Sequence, residues 1–219
     1  MAERRVAIVG TAPSYLRTPW DDPGLEIRSL NDAYQLKGFG RADRWYDLHP
    51  LESFWSPAPG QPAYAHLIPA GHYLRPPTHR EWLSKLSIPL YLQSDPPAGW
   101  HHAHRFPREE VEARWGRYQA STPVLMLQHA MLEGVKEIHV YGIHLATEWE
   151  YLRQRPNFEA FMGAFLGPDP WTITVENGMR RYESGGHVLV VPVDSPIFQS
   201  DYQYAYEPKP GPNLEPLKW

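Results

Sequence analysis

The apolar positions fall in short blocks, each closed by glycine or a polar turn. Residues 5–10, RVAIVG, form an unbroken run rich in β-branched residues, the pattern of a strand buried on both faces. LEIRSL at 25–30, RWYDL at 44–48 and IPLYLQ at 88–93 predict three more short strands. REEVEARW at 108–115 opens a helix with acidic residues in its first turn. The clearest unit is STPVLMLQHAMLEGVKEIHVYGI. Ser121 or Thr122 caps a helix, Pro123 takes its first turn, Gly134 ends it, and residues 137–143 form a strand. A further helix runs from about 151 to 166, and WTITVE and HVLVVPV supply two more strands.

Alternation of short apolar strands with helices predicts an α/β fold: a Rossmann-like, mainly parallel sheet flanked by helices. Residues 1–201 read as a single domain. A long insertion at 49–107 is rich in Pro, His and Trp, and RPPTHREWLSKL within it predicts one short helix. The segment 202–219 reads as a proline-rich, extended C-terminal arm. No internal repeat is visible.

Open parallel sheets bind ligands outside the carboxyl ends of their strands, so the residues after each strand are the informative ones. Gly10-Thr11-Ala12-Pro13-Ser14 follows the first strand and Asn31-Asp32 the second. His49-Pro50 follows the third, and His144, Thr147 and Glu148 follow EIHVYG. Gly10 permits a sharp turn and a close approach of ligand to backbone. Thr11 and Ser14 offer hydroxyls, and N–H groups of such a loop can meet a phosphate. The stretch is neither the G-x-G-x-x-G fingerprint nor a P-loop, so a plain strand-to-loop turn is an equal reading of it alone. Asn31 and Asp32 serve as a turn or helix cap, or as contacts to a ribose or base. Ser121 and Thr122 cap a helix whose N-terminus can also hold an anion.

Composition narrows the classes. With 219 residues and 42 % hydrophobic residues the chain can bury a real core. A net charge of −4 gives no electrostatic case for nucleic acid, although a local basic groove stays open. Without cysteine there is no disulfide, thiolate nucleophile or Cys-ligated zinc. No stretch approaches the ~20 apolar residues of a membrane span, and the first apolar run is too short for a signal peptide. The expectation is a soluble, cytoplasmic protein.

The motifs together resemble a known group. IVGTAPS resembles the glycine-turn motif of the sialyltransferase-like superfamily, LNDAY its Asn-containing second-strand motif, and STPVLMLQHAMLEGVKEIHVYGIHL its longest signature. That superfamily includes bacterial sialyltransferases that use CMP-sugars, flagellin-modifying glycosyltransferases and hydroxymethylpterin diphosphokinase-like proteins. EYLRQRPNFEAFMGAFLG is similar to tailed-phage proteins with this core, which would place the chain in the host cytoplasm. The resemblance implies a nucleotide pocket lined by Gly10, Thr11, Ser14, Asn31, Ser121 and Thr122, with Tyr151 near the leaving phosphate. It departs in two places. The family's Asp after the strand glycine is His144 here, and the long lid bearing the family's catalytic histidine is much shortened.

The residues therefore point to a nucleotide- or nucleotide-sugar-binding protein with glycosyltransferase-like group transfer, His144 and Glu148 forming the acid–base pair. An alternative is a pyrophosphoryl transferase or nucleotide hydrolase using Mg²⁺ on Asp32 and Asp194. A non-enzymatic nucleotide-binding module is the other. Partners are a small-molecule nucleotide and, as an open possibility of the class, a second copy in a homo-oligomer. His101, His102 and His104 could gather a metal, but in an aromatic-rich loop they more often pack on rings or face water. His129 and His139, inside a helix and a strand, read as structural.

Overall fold

The computed structural model describes residues 4–49, 79–145 and 154–198. Among these residues nine strands form one sheet: β1 Arg5–Val9, β2 Leu25–Leu30, β3 Arg44–Asp47, β4 Leu90–Leu92, β5 Ala103–Arg105, β6 Glu137–Tyr141, β7 Thr172–Glu176, β8 Met179–Ser184 and β9 His187–Pro192. Their spatial order is β5-β4-β3-β2-β1-β6-β9-β8-β7. From β5 to β9 every pairing is parallel, whereas β7, β8 and β9 form an antiparallel meander at one edge. The α/β class, with a mainly parallel sheet and flanking helices, is the one the alternation predicts.

Among the described residues four α-helices accompany the sheet: α1 His79–Ser84, α2 Arg108–Trp115, α3 Thr122–Leu132 and α4 Arg155–Leu166. Val6 and Ile8 of β1 face the large core built with α3 and α4, while Ala7 and Val9 pack on the other face with Leu25, Ile27 and Tyr15. All four apolar residues of β1 are fully buried, which is why the run is unbroken rather than alternating. A third cluster, including Trp45, Leu83, Leu90 and Leu92, fills the space under α1. Residues 79–107, which the sequence places in an insertion, thus contribute α1, β4 and β5, and the two strands extend the sheet. The arm at 202–219 and the segment 50–78 lie outside the described residues.

The chain runs outward from β1 to β5, returns through α2 and α3, and re-enters the sheet at β6 on the other side of β1. The reversal makes β1/β6 the topological switch point. The register aligns Val9 with Tyr141, so both strands stop at the same level and Gly10 and Gly142 emerge side by side.

At the far end α3 is pinned by charge. Arg28 of β2 is fully buried. Its Nε donates to Glu26 at 2.9 Å, and its guanidinium also pairs with Glu133 just past the end of α3. Arg44 pairs with the same two carboxylates at 2.8 and 2.5 Å. Burial pushes the Glu133 carboxyl up, but Arg28 and Arg44 outweigh it and bring it down to about 2. Beside it, His129 Nδ1 meets the Tyr46 hydroxyl at 2.9 Å, and burial pushes the imidazole down to about 4 against the pull of Glu133. His139, likewise held within the fold, bridges Glu137 and Tyr141.

A neutral, buried His129 makes folding sensitive to acid. Its folded value lies below its unfolded one, so its stabilisation is complete above pH ~6.5 and lost as pH falls toward 4, at a cost of about 3 kcal/mol. Glu133 adds a second loss as pH falls from about 4.5 toward 2, with the same sign. Denaturant midpoints measured from pH 7 to 4 are expected to fall steeply for the parent and more shallowly for His129→Gln. Parallel curves would contradict this placement of His129.

Candidate functional site

A cleft of 530 Å³ opens at the carboxyl ends of the parallel strands, across the switch point. Five segments line it: Gly10–Ala12 after β1, Asn31-Asp32 after β2, Leu48-His49 after β3, Gln119–Pro123 at the start of α3, and Gly142–Leu145 after β6. Arg108 and Gln154 stand at its edge. Seven of the residues nominated from sequence meet here: Gly10, Thr11, Asn31, Asp32, Ser121, Thr122 and His144. Glu148 and Tyr151 lie outside the described residues.

The floor is a backbone crossing. Gly10 N donates to Tyr141 O at 2.9 Å and Ala12 N to Gly142 O at 2.8 Å. A Cβ on Gly10 would stand 2.5 Å from Gly142 O, and one on Gly142 would stand 2.4 Å from Gly10 O. Gly10 therefore meets a steric demand from the protein's own β6 loop, in addition to lining the cleft. Gly142 also has φ +64°, a conformation that favours glycine.

Ser14 is placed differently from the expectation. It is 2 % exposed and does not line the cleft. Its Oγ accepts the Gly142 N–H at 3.0 Å and lies 2.8 Å from His144 Nε2, so the hydroxyl ties the β1 loop to the β6 loop. His144 is thereby fixed through one ring nitrogen. Burial pushes its imidazole below the ordinary value, against an upward pull from Asp194, so it is neutral at pH 7. Asp194 itself pairs with Arg17 at 3.2 Å, and it is absent from the lining.

The side walls are also held. Asn31 has φ +50°, a left-handed conformation that Asn tolerates. Its N–H donates to Tyr46 O at 2.9 Å, and its carbonyl accepts from Trp45 Nε1 at 3.1 Å. Ser121 occupies the N-cap position of α3, but its hydroxyl makes no capping hydrogen bond. Ser121 Oγ and Asn31 Oδ1 are instead buried oxygens without a protein partner. Asn157 of α4, fully buried, accepts from Ala120 N at 3.0 Å and donates to Tyr118 O, which steadies the approach to α3.

The histidine trio disperses. His102 Nε2 meets Leu83 O at 3.0 Å and stacks on Trp100, His104 packs on Tyr91, and His101 is exposed. Among the described residues, no three His, Asp or Glu side chains gather as a metal would require. Sequence reading placed His49 after the third strand but gave it no role, and it missed Asn157, Arg108 and Asp47. Asp47 and His49 had a signal: two chemistry-bearing residues two positions apart at a strand end share one side of the chain.

No family model and no curated protein matches the chain. Among solved structures, the sialyltransferase CstII from Campylobacter jejuni, in complex with a substrate analogue, cytidine 5′-monophosphate, matches 73 % of this chain and 76 % of its own. The identity is 14 % and the TM-score 0.40. A likeness that distant carries no weight on ligand or chemistry. Among the described residues no helix is long and apolar enough to cross a membrane.

The crossing predicts an order of sensitivity. Gly142→Ala meets both positive φ and backbone contact, and is expected to cost about 3 kcal/mol or more. Gly134→Ala at the end of α3 has the same sign of φ but open space, and is expected to cost about 1 kcal/mol. Equal losses on urea denaturation would contradict the crossing.

Proposed function

We propose that the cleft takes a nucleotide or nucleotide-sugar, and that the protein transfers the group such a donor carries. The observation that carries this reading is the convergence, at one switch point, of a helix N-terminus, hydroxyl side chains and a strand-end Asn-Asp pair. The first hydrogen bond inside α3 runs from Leu125 N to Ser121 O at 3.3 Å, so the N–H groups of Thr122 and Val124 precede it. Those amides, with Thr11, Thr122 and Ser121 nearby, suit a phosphate. Arg108, ion-paired with Glu112 at 2.7 Å, also lines the cleft. Asn31 and Asp32 suit the hydroxyls of a ribose or the edge of a base. Asn31 and Ser121 of that lining each carry a buried side-chain oxygen without a protein partner.

In group transfer, an acceptor hydroxyl loses its proton as it attacks, and the phosphate leaves with the bonding electrons. The helix N-terminus stabilises the charge that develops on that phosphate. Ser14 acts indirectly in this reading, holding His144 and the β6 loop. His144 contributes a neutral imidazole to the cleft, and the sequence pairs it with Glu148 for proton transfer.

Calorimetric titration of the full chain with CMP, UMP, ADP and the corresponding nucleotide-sugars tests the site. A ligand at 100 times its Kd is expected to raise stability by about 2.7 kcal/mol in a parallel thermal scan. Asn31→Ala and Thr122→Val are each expected to weaken binding about tenfold, the loss of one or two hydrogen bonds. Folded variants that bind as tightly as the parent would overturn the assignment. A stabilisation seen only with Mg²⁺ would favour pyrophosphoryl transfer instead.

A further inference from the structure

The two edges of the sheet are built differently. β5 has three residues, with His104 at its centre and Arg105 at its end, a short and charged edge of the kind that resists pairing with another chain. β7 has five, Thr172-Ile173-Thr174-Val175-Glu176, and every one is exposed. It holds no proline and no lysine, and its register with β8 runs without a bulge. Among the described residues no strand pairs with its outer side. Ile173 is 55 % exposed and Val175 65 %.

The hairpin decides which backbone groups of β7 are open. Only Asn177 and Gly178 separate Glu176 from Met179, and both have positive φ, +51° and +74°, the two-residue turn that suits a twisted hairpin. Such a turn makes the flanking Glu176 and Met179 a hydrogen-bonded pair. The alternation of an antiparallel ladder then makes Thr174–Arg181 and Thr172–Glu183 the next such pairs. The N–H and C=O groups of Ile173 and Val175 therefore point away from β8, to the open edge. Their side chains share a sheet face with Tyr182, which pairs with Ile173 and belongs to the core under α4. Trp171, 38 % exposed and packed on Tyr182, continues this apolar strip.

We propose that β7 joins two copies of this chain, edge to edge and antiparallel, about a twofold axis at Thr174. That register sets Ile173 of each copy opposite Val175 of the other. The residues that hold the open groups then meet, each pair exchanging both of its N–H···O bonds. It also pairs the apolar side chains across the joint and places Glu176, the one charge of β7, opposite Thr172. A register with Glu176 opposite its own copy would oppose like charges and carry Ile173 beyond the end of the facing strand. A second copy fits because the strand reads polar, apolar, polar, apolar, polar in both directions about Thr174. The joint uses five residues a side, against roughly 20–30 in a standard interface, so the dimer is weak and concentration-dependent. β7 runs in the direction of β6 and β1, so the twofold leaves the two clefts at opposite ends of the joined sheet.

Sedimentation of the full-length protein from about 10 µM to 1 mM is expected to show monomer passing to dimer. Val175→Lys, which leaves the β8 ladder in place, is expected to raise the dissociation constant about tenfold or more while circular dichroism stays that of the parent. Thr174→Cys gives the chain its only cysteine. It faces its own copy in a non-hydrogen-bonded pair, with Cα atoms about 4.5 Å apart and within reach of a disulfide. On oxidation it is expected to cross-link about tenfold faster than Ile173→Cys or Val175→Cys. A parent that stays monomeric at the highest concentration, or Val175→Lys that associates like the parent, would overturn the proposal. Faster cross-linking at 173 or 175 would overturn it too. A monomer whose Ile173 and Val175 amides resist hydrogen exchange would show the edge held by another part of the chain, and would overturn it equally.

Discussion

Everything at the carboxyl end of this parallel sheet depends on two peptide backbones touching. Where β1 and β6 stop, Gly10 and Gly142 approach so closely that neither has room for a Cβ. That contact, with the Ala12–Gly142 hydrogen bond and the Ser14 hydroxyl, joins the two loops on either side of the switch point into one floor. A sheet that reverses its strand order opens a crevice there as a matter of topology. Here the crossing gives the crevice a rigid base and holds His144 over it through Ser14.

The two ends of α3 divide the work. Its carboxyl end carries the negative pole of the helix and an acidic Glu133, a combination that would be unfavourable alone. Arg28 and Arg44 compensate both, and Arg28 is so deeply buried that it needs its two carboxylate partners, Glu26 and Glu133, to offset its charge. With that end anchored in the sheet, the amino end projects Ser121 and Thr122 into the cleft, and Asn157 steadies the segment leading up to them. Polar groups behind the wall follow the same logic. Asp47 is buried because it accepts from two imidazoles, His49 and His79, of which His49 lines the cleft.

Much of this was legible in the residue order. The unbroken RVAIV run, the Ser-Thr-Pro start of α3 and its Gly134 stop, and the REEVEARW helix all lie where local pattern puts them, although the Ser121 hydroxyl makes no capping bond. Two strands were not. AHR in β5 has three residues and a histidine at its centre, and MRRYES in β8 is mostly polar. Their strand character comes from neighbours: β5 adds to β4, and β8 lies between β7 and β9. The small and hydroxyl residues Gly10, Thr11, Ser121 and Thr122 line one cleft, because strand ends in a parallel sheet all point one way. Ser14 was marked for the ligand and is spent on the protein, since sequence shows that a hydroxyl is present but not which side of a loop it faces. His49 was given no role because its partner, Asp47, read as part of a strand, and His79 lies 32 positions away.

The central claim is that a nucleotide sits across the β1/β6 switch point, with its phosphate at the start of α3. Backbone amide shifts recorded by NMR while CMP is added locate the ligand directly. The account predicts the largest changes at Gly10–Ala12, Asn31, Thr122, Val124 and Gly142–Leu145, with little change at Arg4, Arg5 and Arg41 at the opposite end of the strands. Changes centred on those arginines, or none at the start of α3, would contradict it.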